Sequence, residues 1–88
     1  MAEPIADLQF HKRFKKESNR LSHKLNERLL LFANEPYHLS LNRHKLTGEY
    51  TGCESINING DWRAVFYWKS ENIAFFIRVG THSQLYKK

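Results

Sequence analysis

Eighty-eight residues make one domain, 1–88, and a chain this short buries so little of its unfolded surface that its core must be economical. Fourteen Lys and Arg against nine Asp and Glu leave a net charge of +5, which favours a polyanionic partner, nucleic acid or an acidic protein. A single cysteine, Cys53, excludes an internal disulfide and cannot make a metal site without several partners; the thiol is expected to be half-buried and neutral.

No run approaches the ~20 apolar residues of a membrane span, and Met1 to Asp7 has neither the basic nor the apolar region of a secretory leader. The expectation is a cytoplasmic protein without membrane association. Ile5 to Gln9 reads as an edge strand. Phe10, Phe14, Leu21, Leu25, Leu29 and Phe32 then recur at three- and four-residue steps or their multiples, with basic residues largely between them. That stripe predicts two helices, broken near Ser18-Asn19, with Ser22 as the second N-cap and Pro36 as the stop.

Tyr37 to Gly52 is irregular, with turn signals at Asn42, Gly48 and Gly52. Cys53 to Ile58, Trp62 to Lys69 and Asn72 to Val79 read as three strands, the first two joined by the turn Asn59-Gly60-Asp61. Helices followed by a meander indicate an α+β domain: an N-terminal strand and two helices on one face of an antiparallel sheet.

A two-residue loop at Ser70-Glu71 sets a register for the last hairpin. Arg63 then faces Arg78, Val65 faces Phe76 and Tyr67 faces Ala74, while Trp62, Ala64, Phe66, Trp68, Ile73, Phe75 and Ile77 cover the helices. Two arginines directly opposed destabilise a ladder unless an anion sits between them, or unless Glu54 or Asp61 pairs with them. Tyr67 and Phe76 share the arginine face in this register, where their rings can stack on bases.

The five histidines differ in context. His11 and His23 lie among helical lysines and are expected to be inert, and His38 lies in an irregular loop. His44 precedes the turn at Thr47-Gly48. His82 follows the last strand, where a rigid scaffold usually presents working side chains. Imidazole serves as acid or base near neutrality. Beside Arg63 and Arg78 it has the components for RNA cleavage by the adjacent 2′-hydroxyl: proton transfer groups and cations for the phosphorane charge. There is no glycine-rich phosphate loop, Cys/His metal spacing or HExxH helix, so neither a cofactor nor a metal is expected.

Three blocks, His44-Lys45-Leu46-Thr47-Gly48, then Gly52 to Arg63, then Arg78-Val79-Gly80-Thr81-His82-Ser83-Gln84-Leu85-Tyr86, resemble the RelE/ParE superfamily of bacterial toxins, and its YafQ-like branch above all. The resemblance spans nearly the whole chain, and the Arg-x-Gly-Thr-His ending is its most specific part. It implies a toxin of a type II toxin–antitoxin system that cleaves messenger RNA on the ribosome and is silenced by a cognate antitoxin in a hetero-oligomer. By position it implies His82 as leading acid or base and Arg78 as phosphate clamp. His44 and Asp61 follow as second proton-transfer and orienting groups. Tyr86 positions a base or the phosphate, and Arg63 and Lys45 add RNA contacts, with Trp62 structural. Where some members carry a further histidine, this chain has Asn57, which cannot transfer protons near neutral pH. The same fold hosts ParE-like inhibitors of DNA gyrase that cut nothing, the competing expectation.

Overall fold

The computed structural model of the chain describes residues 3–6 and 19–86. In chain order these form β1 (Glu3–Ala6), α1 (Asn19–Asn34), a 3-10 turn at Leu39–Leu41, β2 (His44–Lys45), a second 3-10 turn at Gly48–Tyr50, β3 (Glu54–Asn59), β4 (Trp62–Ser70), β5 (Ile73–Thr81) and α2 (His82–Leu85). All five strands join one sheet in the order β1-β5-β4-β3-β2. Adjacent strands are antiparallel except β1, which runs parallel to β5 at the sheet edge. The α+β layout is the one expected. The first anticipated helix, with Phe10 and Phe14, falls outside the described residues.

α1 runs unbroken from Asn19, so Ser22 lies inside the helix and not at its N-cap. It stops two residues before Pro36, whose ring disfavours helical backbone at the residue before it. The final turn is closed by Glu35 N–H donating to the Leu31 carbonyl at 2.7 Å and by the Asn34 side-chain amide donating to the Leu30 carbonyl at 2.9 Å. Leu25, Leu29 and Phe32, at steps of four and three, put one face of α1 on the sheet. Opposite them lie Ile56 and Ile58 of β3, Ala64 and Phe66 of β4, and Ala74, Phe76 and Val79 of β5. Phe32 meets Phe66 and Phe76 edge-on, with ring centroids 5.0 and 5.6 Å apart.

The last hairpin corrects the expected register. Ser70 pairs with Ile73, so the turn is Glu71-Asn72 and not Ser70-Glu71. Arg63 faces Gly80, Val65 faces Arg78 and Tyr67 faces Phe75; the two arginines are not opposed. The turn's position sets the register at the arginines, and two irregularities that cancel there flip the faces of β5 between them, with Lys69 extra on β4 at the first. Val65 pairs with Arg78 but Phe66 with Phe76, which leaves Ile77 as an extra residue on β5. Ala74 and Phe76 face the core before this bulge and Val79 after it, so Arg78 stays out of the core. Phe76 is fully buried against Phe66 and Phe32, which rules it out as a base-stacking surface. Ile73, Phe75 and Ile77 are only partly buried and stand outside that core.

Candidate active site

The face of the sheet away from α1 carries a row of cross-strand partners, His44 on β2, Ser55 on β3, Val65 on β4 and Arg78 on β5. Beside it runs a second row, Asn57, Arg63 and Gly80. Side chains of paired residues point to the same face, so the two rows form one surface. Between β3 and β4 the chain turns through Gly60, whose φ of +56° suits the left-handed residue of a two-residue hairpin.

α2 closes one end of this surface. Thr81 caps it: its hydroxyl accepts the Gln84 N–H at 3.2 Å, and the Gln84 side chain accepts the Thr81 N–H at 3.0 Å, a reciprocal capping box. The His82 N–H donates to the Asp61 carbonyl at 3.1 Å, tying α2 to the β3–β4 turn. Gly80 has a packing reason. A Cβ there would lie 3.0 Å from the Gln84 side-chain oxygen and 3.4 Å from Leu85, so a larger residue would crowd the side-chain oxygen that completes the capping box.

A cleft of about 420 Å³ opens between these elements, lined by His44, Lys45, Leu46, Thr47, Arg63, His82 and Tyr86. Its walls bring together residues from β2, the loop after it, β4 and the C-terminal segment. The His82 and Tyr86 rings meet at 4.7 Å, and Tyr50 packs edge-on against Tyr86 at 6.0 Å. Arg63 Nη1 contacts only neutral acceptors: the Asn57 side-chain oxygen at 2.6 Å and the carbonyls of Gly60 at 3.0 Å and Trp62 at 3.2 Å. Its charge is therefore oriented but not neutralised by any carboxylate among the described residues.

Not every expected residue meets in the cleft. Arg78 is exposed and ends the row that starts at His44, three strand spacings away, roughly 14 Å. Asp61 is exposed at the turn and joins the site through its backbone carbonyl. Lys45 lines the cleft, but it pairs with Glu54, in the register opposite to that of His44. Tyr67 is exposed and packs against Phe75 at 5.6 Å, further along the face. His23 and His38 are exposed and outside the cleft.

Glu54 is committed elsewhere and cannot neutralise Arg63 or Arg78. It takes Arg43 Nε at 2.6 Å and the Trp68 indole N–H at 3.0 Å. The Arg43 guanidinium also donates to the Pro36 carbonyl and lies 4.6 Å from the centre of the Tyr37 ring. Burial works against its charge, but Glu54 and then Tyr37 outweigh that and hold its pKa above the ordinary value. Cys53 is half-buried, as expected of a free cysteine, and burial pushes its thiol up.

Sequence reasoning missed Ser55 and Asn42. Ser55 is fully buried with its hydroxyl 3.4 Å from His44 Nε2, and the Asn42 carbonyl lies 3.0 Å from His44 Nδ1. Only the pairing of a two-residue strand reveals the first contact. The second had a trace in the sequence, since Asn42 was a turn signal and adopts a left-handed φ of +46°.

The family described as the bacterial toxin of type II toxin–antitoxin systems, YafQ, matches residues 6–87. Among solved structures, YafQ from E. coli strain BL21(DE3) is 22% identical, covers 98% of this chain and 99% of its own, and superposes with a TM-score of 0.78. The E. coli DinJ-YafQ toxin–antitoxin complex matches at 22% identity over 97% of each chain, with a TM-score of 0.75. A YoeB/ParE toxin from Agrobacterium tumefaciens is 18% identical over 91% of this chain and 98% of its own, with a TM-score of 0.72. No curated relative of significant sequence similarity is found. No described helix is long and apolar enough to cross a membrane.

Proposed function

This chain belongs to the YafQ family of bacterial toxins of type II toxin–antitoxin systems, and from that premise we propose that it is an endoribonuclease cleaving messenger RNA on the ribosome. The observation that carries the reading is the cleft that gathers His44, Arg63, His82 and Tyr86. In the reaction a base removes the proton of a 2′-hydroxyl, whose oxygen attacks the adjacent phosphorus. An acid protonates the departing 5′-oxygen, leaving a 2′,3′-cyclic phosphate and a 5′-hydroxyl. Two imidazoles on separate elements of one cleft supply the two proton transfers. Arg63 stabilises the phosphorane charge with a guanidinium that has no carboxylate partner among the described residues. Tyr86 presents a ring next to His82 for orienting base or ribose.

Arg78 is the phosphate contact further along the same face, with Tyr67 beside Phe75 as an aromatic rest for a flanking base. Lys45 adds cationic charge at the rim. Asp61 positions His82 by accepting its backbone N–H at the carbonyl. The E. coli toxin is complexed with DinJ, and a cognate antitoxin forming a hetero-oligomer is the corresponding protein partner here. That antitoxin is acidic where it meets the cleft, to match a chain of net charge +5.

The test is brief expression without antitoxin, with transcript ends mapped across the cell. New 5′-hydroxyl ends within translated messages are the expected result. Intact messages alongside blocked supercoiling would replace this reading with gyrase inhibition.

A further inference from the structure

The two histidines of the segment 38–44 are held in opposite ways. His38 Nδ1 accepts the Ser40 N–H at 3.1 Å, so that nitrogen carries the lone pair and Nε2 carries the hydrogen in the neutral ring. His44 Nδ1 instead faces the Asn42 carbonyl at 3.0 Å, an acceptor only, and must carry the hydrogen. The lone pair of neutral His44 is therefore on Nε2, where Ser55 supplies a hydroxyl.

That hydroxyl holds Nε2 loosely. An O–H donor usually lies 2.5–3.0 Å from its acceptor, and here the separation is 3.4 Å. Ser55 is fully buried, so its hydroxyl needs a partner, and His44 is the one it has among the described residues. The Asn42 carbonyl is placed by backbone. Asn42 ends the Leu39–Leu41 turn in the left-handed region, with its N–H donating to the Leu39 carbonyl at 3.0 Å. The next residue, Arg43, is pinned to Glu54 of β3. The turn and the ion pair together fix where the carbonyl points.

We propose that Asn42 is a positioning residue that holds His44 as the Nδ1–H tautomer, with Nε2, held only loosely by the Ser55 hydroxyl, available in the cleft as the proton acceptor. Its role as base rests on the ribonuclease reading above, whereas the tautomer does not. His82, whose ring nitrogens have no hydrogen-bond partner among the described residues, is left to donate the second proton. In the first step the 2′-hydroxyl proton passes to His44 Nε2, giving an imidazolium whose Nδ1–H stays on the Asn42 carbonyl.

Two-bond ¹H–¹⁵N spectra of the folded chain report each ring's tautomer without reference to activity. The expected pattern is Nδ1–H for His44 and Nε2–H for His38, each ring serving as the other's control. A His44 ring in the Nε2–H form, or averaging between forms, overturns the proposal. Asn42→Val, a β-branched residue strained at positive φ, is expected to lose the His44 pattern. On ribosome-bound messenger it should lower kcat roughly tenfold with little change in KM, part of the ~10²–10⁴ that a positioned proton-transfer group contributes. Asn42→Gly, which tolerates the same φ, is expected to keep the tautomer, as is Ser55→Ala, because the Nδ1 bond is to Asn42. If Ser55→Ala switches the tautomer and Asn42→Val does not, the assignment to Asn42 is wrong. If the tautomers are as stated but no message is cut, the ribonuclease reading fails and the base role fails with it, while the positioning geometry stands.

Discussion

Arg63 Nη1 and the Asn57 side-chain oxygen lie 2.6 Å apart, on neighbouring strands in direct cross-strand register. Asparagine at this position does no proton transfer, but it holds a guanidinium without cancelling its charge, which a carboxylate there would do. Removing the cation should therefore weaken phosphate binding and leave the fold intact. Arg63→Ala is expected to lower ribosome or RNA affinity and to reduce the slope of log K against log salt by about 1. Arg63→Lys should rescue only in part, because a point charge cannot reproduce the fork held by Asn57. Binding isotherms at several salt concentrations check both, and an unchanged salt slope in Arg63→Ala would remove Arg63 from the phosphate site.

His82 is exposed at the start of α2, and its ring contact is to Tyr86, so its side chain carries little of the core. His82→Ala is expected to abolish toxicity and to slow cleavage by about 10²–10⁴, the range for a lost acid or base. Circular dichroism should be unchanged. Full toxicity in that variant would remove His82 from the chemistry.

Much of this was legible in the residues. Leu25, Leu29 and Phe32 announced the buried face of α1, and Asn59-Gly60-Asp61 announced the first hairpin turn. The second hairpin was misread because its turn is Glu71-Asn72 and because Lys69 and Ile77 are extra residues on their strands, while a run such as Ile73-Ala74-Phe75-Phe76-Ile77 is apolar on both parities. Alternation then cannot choose a face, and the packing of Phe76 against Phe32 decides it. The cleft itself was half legible: His44 and His82 stood out, but their meeting depends on β2, two residues long, whose pairing no pattern specifies. The capping box at Thr81 and Gln84 was legible in principle, as Thr-x-x-Gln, and passed unread behind the histidine it precedes.

Phe32 touches three aromatic rings, those of Phe66, Phe76 and Trp68, and is fully buried. Phe32→Ala should cost about 3–5 kcal/mol, from lost burial and the cavity left behind. Against a typical domain stability of about 5–15 kcal/mol, that leaves a marginal fold. Urea titration checks it, and a loss below about 1 kcal/mol would show the cavity to be refilled.

The Cys53 thiol, raised by burial, should be a slow nucleophile at neutral pH, because little thiolate is present. The folded pKa lies above the unfolded one, so the stabilisation it brings is complete below the unfolded thiol value. It declines as pH rises through the folded value. Alkylation of native protein should thus be slower than of the urea-unfolded chain at pH 7 and converge toward it in alkali. Equal rates at neutral pH would contradict the direction of the shift.

Thr81 does two jobs at once, closing β5 opposite Trp62 and capping the turn of helix that begins with His82. Thr81→Ala removes the oxygen that accepts the Gln84 N–H and should cost about 1 kcal/mol, the usual worth of an N-cap. Because His82 opens this helix, the same change should also slow cleavage, by more than its small effect on the folded fraction accounts for. Thr81→Ser keeps the accepting oxygen and should restore both stability and rate. The decisive comparison is the cleavage rate of Thr81→Ala at a temperature where all variants are fully folded. A rate equal to that of the unaltered chain would mean that His82 is positioned by its bond to the Asp61 carbonyl alone, and that the cap serves only stability.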